Sequence, residues 1–118
     1  MEFVSIEAIV NRVIPVKNYL HEYGTPDKVI DAMKASMRCS WISGFVPKCD
    51  IQLIDDKASI TLTACIDTEI PDVPYETKKE KEWIWDQASY PSQLNDFNLI
   101  DMRIHWHPHI DDDYDDGE

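Results

Sequence analysis

The sequence predicts an α+β fold, a two-layer sandwich in which an N-terminal helical hairpin packs on a small antiparallel β-sheet. Apolar residues recur at three and four positions through the first forty residues, the spacing of helix faces, and at two positions from Val46 onward, the spacing of strands. Two helical stripes and two or three strands, each with one apolar face, bury those faces only against one another. The chain's 118 residues suit a single domain, and its three Gly and seven Pro are scattered without forming a linker. Residues 1–110 therefore read as one domain and residues 111–118 as an acidic C-terminal tail.

In chain order, Ile6, Ile9, Val10, Val13, Val16, Leu20 and Tyr23 mark one helix face, with Ser5 placed as its N-cap. Pro15 lacks the amide that would bond to Asn11, so it kinks that helix, and Gly24 suits its C-terminal end. Thr25-Pro26-Asp27 then reads as N-cap, first helical residue and first-turn acid of a second helix. Its stripe is Val29, Ile30, Met33, Met37 and Trp41. Next, Cys49, Ile51 and Leu53 alternate with Lys48, Asp50 and Gln52, and Ile60, Leu62, Ala64 and Ile66 with Ser59, Thr61, Thr63, Cys65 and Asp67. A hairpin that sets Ile54 opposite Ser59 pairs Leu53 with Ile60, Ile51 with Leu62 and Cys49 with Ala64, leaving the other face polar. Two prolines make residues 69–75 a loop. Residues 78–88 suit a helix better than an edge strand, because Lys79, Glu80, Lys81 and Glu82 are good helix formers. A last strand from Phe97 to Trp106 sets Ile100, Met102, Ile104 and Trp106 on one face and Asp101, Arg103 and His105 on the other.

Charge narrows the functional classes. Asp and Glu outnumber Lys and Arg by 23 to 11, a formal net charge of −12. Direct binding to nucleic acid or to an anionic membrane needs clustered cations and is disfavoured. The eight-residue tail holds half of that net charge, so the body is acidic as well. Such a field draws in cationic partners. Three cysteines, none in a CxxC, read as reduced thiols of a cytosolic protein. The first residues lack the basic start of a signal peptide, and no apolar run is long enough to span a bilayer.

Two sets of residues carry candidate function. The first is an anionic surface for a basic protein, formed by Asp111, Asp112, Asp113, Tyr114, Asp115 and Asp116 of the tail with Asp55, Asp56, Asp67 and Asp72, and by Trp85 as an aromatic amid charge. The second is a Zn or other first-row metal site. His105 and His107 point the same way on a strand, and Cys65 and Asp67 supply further ligands if that strand lies beside the one from Ser59 to Asp67. His109 falls too far along to join, and the tail departs from a calcium loop in having Tyr114 at the third position. No phosphate loop, nucleophile elbow or HExxH motif is present.

The expected activity is thus a non-enzymatic inhibitor that docks on a basic protein, such as a nuclease or another nucleic-acid-binding protein. In size and charge the chain is similar to nuclease immunity proteins and to phage-encoded inhibitors that imitate DNA charge. That likeness is one of class and transfers no residue. The alternatives are a metal-binding protein or metal-dependent hydrolase built on the histidine strand, and a structural component such as a virion protein.

Overall fold

The computed structural model describes residues 2–34, 37, 39, 40, 42, 44–71, 76–88 and 94–106. Seven elements follow in order: β1 (Glu2–Pro15), α1 (Val16–Glu22), α2 (Pro26–Lys34), β2 (Lys48–Ile54), β3 (Lys57–Ile70), α3 (Lys78–Gln87) and β4 (Asn98–Trp106). The four strands form one antiparallel sheet in the order β2-β3-β1-β4. Among the described residues no helix is long and apolar enough to cross a membrane.

The N-terminal helical hairpin expected from the sequence is not formed. Residues 2–15 are an inner strand of the sheet, paired with β3 along their whole length and with β4 over residues 4–11. Two features that a helical spacing count ignores explain the outcome. Val4, Ile6, Val10, Val13 and Ile14 are β-branched and suit a pleated surface, and Val4, Ile6, Ala8 and Val10 also fit a period of two. An inner strand satisfies its backbone on both sides while burying that whole row, a gain that local propensity cannot match. Ser5, expected as an N-cap, is instead fully buried in mid-strand. Pro15 closes the strand rather than kinking a helix, and α1 begins at the next residue, with Val16 N donating to the Asp56 carbonyl at 2.8 Å.

The helices are short and lie over separate strands, α2 near β2, α3 near β4 and α1 by β1 and β3. The start of α2 is as expected, with the Thr25 hydroxyl accepting from Lys28 N at 3.2 Å, but the helix stops at Lys34. Helix α3 is held by a capping box: the Thr77 side chain accepts from Glu80 N, and the Glu80 carboxylate accepts from Thr77 N. Its inner side buries Ile84 and Trp85. Even-numbered residues of β1 and β3, including Ile6, Val10, Ile60 and Leu62, meet Tyr19, Val29, Met33, Ile84, Leu94 and Phe97 in a single core. The sheet therefore has one face under the helices and an outer face of its own.

One register and one face assignment differ from the expected ones. The β2–β3 hairpin turns on two residues, Asp55 and Asp56, with Asp55 at φ 56°. Leu53 consequently pairs with Ala58, Ile51 with Ile60 and Cys49 with Leu62. A slip of two residues leaves every side chain on its face, so packing cannot choose between these alignments. The turn chooses, because aspartate tolerates the left-handed region. In β4 the register shifts beside Ile9 and Val10, so that Ile9 opposes Asp101 while Val10 opposes Leu99. The extra residue, Ile100, is exposed, and Leu99 packs on the core in its place.

Candidate functional site

The outer face of the sheet brings most of the candidate residues together. Odd-numbered residues of β1 and β3 point there, and the registers set them in rows: His105, Ser5 and Asp67; Arg103, Glu7 and Cys65; Asp101, Ile9, Thr63 and Lys48. The first two rows are partly covered. Ser40 N donates to Asp67 Oδ1 at 3.1 Å, the Ser40 hydroxyl donates to Asp67 Oδ2, and Ser5 Oγ donates to the same carboxylate from below. Cys39 and Cys65 are near neighbours beside this cluster. Cys65, expected on a wet face, is consequently buried.

The further ligands Cys65 and Asp67 depended on β4 lying beside β3, and β1 lies between them. His105 is therefore two strand spacings, about 10 Å, from Asp67, with Ser5 in the gap. Its imidazole Nε2 is instead 3.3 Å from Glu7 Oε1. Among the described residues no three of His, Cys, Asp and Glu are grouped so as to hold a metal ion, and His107 lies outside them. Burial pushes the Cys65 thiol far above its ordinary range, with neighbouring Cys39 and the charges of Asp67 and Glu7 acting in the same direction. A thiol held neutral in this way reacts slowly with reagents from solution and has chemistry only with a sulfur set against it.

Two shallow grooves cross the face on either side of β1 and meet at Glu7 and Ile9. One, of about 320 Å³, runs to Arg103, Asp101 and Lys81. The other, of about 560 Å³, runs to Lys48 and Thr63 under Ile42, Phe45 and Val46. Lys81 Nζ sits 2.7 Å from Asp101 Oδ1, which also accepts from Met102 N at 2.9 Å. Those bonds, Lys81 first, hold the Asp101 carboxyl below its usual range. The charges in the grooves are mixed, so this face is not the anionic surface that composition implies. Lys81 was not foreseen as part of it, because nothing in sequence links it to Asp101 twenty residues away.

The exposed acids that sequence singled out lie elsewhere. Asp55 and Asp56 form the tip of the β2–β3 hairpin, where Leu53 and Ile54 are left 63% and 58% exposed beside them. Asp67 is on the outer face, engaged by Ser5 and Ser40. Trp85 is 4% exposed and belongs to the core, whereas Trp83, two residues away, is 46% exposed. The alternation of a strand would have put both on one face; the helix turns them apart. Asp72, Asp111, Asp112, Asp113, Tyr114, Asp115 and Asp116 lie outside the described residues.

No family model, curated protein or solved structure matches this chain.

Proposed function

We propose that the protein binds a cationic surface on another protein and blocks it, with the β2–β3 hairpin tip as a principal contact. The observation that carries this reading is the tip itself. Two exposed aspartates stand against two uncovered aliphatic side chains, Leu53 and Ile54. Leu53 and Ile54 project to opposite faces of the strand end, so each offers an apolar contact bordered by the carboxylates, a mixture found at protein-binding surfaces, and a chain of net charge −12 selects a basic partner and speeds encounter with it. The second acidic element, the run from Asp111, follows β4, which ends at Trp106 opposite Val4. The hairpin tip adjoins Pro15, eleven residues along β1 and roughly 36 Å away by strand rise. Nucleases and other nucleic-acid-binding proteins are basic partners of this class.

The test is affinity capture from the native cell at about 50 mM salt, followed by titration calorimetry with the recovered basic protein at about 50 and 300 mM. Binding is expected to weaken at least about tenfold over that interval. Asp55→Asn with Asp56→Asn is expected to weaken it by a further three- to tenfold, the range for two exposed charge contacts. Recovery of no basic partner, or affinity that ignores salt, rejects the proposal.

A further inference from the structure

We propose that Cys39 and Cys65 form a dithiol site that takes a low-molecular-weight disulfide as its oxidant and closes to an internal disulfide. The bond pins the segment around Ser40 to the outer face of the sheet. This inference is independent of the binding function above. Both side chains are reduced thiols, and each acts on the other as a near neighbour. A second contact fixes the same approach. Ser40, next to Cys39, bonds through its amide and hydroxyl to Asp67, and Asp67 leaves β3 on the same face as Cys65, one pleat along. The chain at residues 39 and 40 therefore runs beside residues 65–67, which brings the two sulfurs within reach of a bond.

The third thiol is kept out of this chemistry by the sheet. Cys49 opposes Leu62 on the helix-covered face, so the backbone layer separates it from Cys65. Accessibility gives the order of events. Cys39 is partly exposed and Cys65 is buried. The Cys39 thiolate attacks one sulfur of the reagent, forming a mixed disulfide and releasing one small thiol. Cys65 then attacks the Cys39 sulfur, forming the internal bond and releasing the second small thiol. Each protein thiol gives up its proton to the thiolate that departs, so two protein thiols are oxidised while one disulfide is reduced. The clamped segment continues into Ile42, Phe45 and Val46, one wall of the larger groove, so oxidation fixes that wall against Glu7 and Thr63.

The experiment treats the full chain with glutathione disulfide at mildly alkaline pH, alkylates what remains and maps the peptides by mass spectrometry. The expected product has lost two hydrogens, links Cys39 to Cys65 and carries the alkyl group on Cys49. Its Tm is raised by on the order of 10 °C and returns to the starting value on reduction. Cys49→Ser should give the same bond, and Cys39→Ser should leave Cys65 unmodified. Persistence of three alkylatable thiols in the wild-type chain, a stable glutathione adduct on Cys39 without closure, or a bond that includes Cys49 overturns the proposal. Because the peptides are mapped from the wild-type chain, the result does not depend on any variant folding.

Discussion

Replacing Ile6 or Ile9 by alanine makes the same chemical change three residues apart, and the strand and helix arrangements of β1 give opposite expectations. In the sheet Ile6 is 0% exposed, between the core residues of β3 and β4 on the helix-covered face, whereas Ile9 is 37% exposed on the outer face. Truncating a fully buried isoleucine removes its burial energy and leaves a cavity, about 3 to 4 kcal/mol at a site closed on both sides. At Ile9 the removed carbons are partly in water already and no closed cavity results, so the cost is about 1 kcal/mol. For a domain of this size, about 4 °C of Tm accompanies each kcal/mol. The expected falls are therefore roughly 14 °C for Ile6→Ala and 4 °C for Ile9→Ala. Urea titrations followed by circular dichroism and tryptophan fluorescence measure both, and unchanged slopes would show that the unfolded state is not responsible. On a helix the two residues share one stripe and cost about the same. Equal losses would therefore refute the central strand, and with it the outer face.

Three further outcomes follow from named contacts. Burial, with the charges of Asp50 and Asp27, pushes the Cys49 thiol up to about 11, so the folded state holds that proton more tightly than the unfolded chain. Stability should be complete below about pH 9 and fall as the pH rises towards 11, and Cys49→Ser should remove part of that fall in urea titrations across this range. Thr77→Ala breaks the capping box of α3 and should cost about 1 kcal/mol, with amide exchange quickening first in residues 78–82. Trp85→Ala should cost about 3 to 5 kcal/mol and Trp83→Ala under about 1 kcal/mol in thermal unfolding; comparable losses would contradict the orientation of α3.

Residue types and short-range spacing determined the pairing of β2 with β3 though not its register, the capped start of α2, the helical form of α3, the strand β4 and the surplus of negative charge. Each depends on a signal contained within a few neighbouring residues: alternation, an N-cap, or composition. What they left open was decided by distance along the chain. Ile6 and Val10 belong to a helical count with Ile9 and Val13 and to a strand count with Val4 and Ala8, and only the presence of β3 and β4 on either side makes the extended form the one that satisfies the backbone and buries the apolar row. The position of β1 between β3 and β4 likewise separated His105 from Cys65 and Asp67, which sequence had grouped on the premise that their strands were adjacent. Cys39 approaches Cys65, and Lys81 approaches Asp101, through contacts spanning twenty or more residues that no local pattern encodes. Side-chain chemistry sets which faces are polar and which turns are tight, whereas strand order sets which of those polar groups become neighbours.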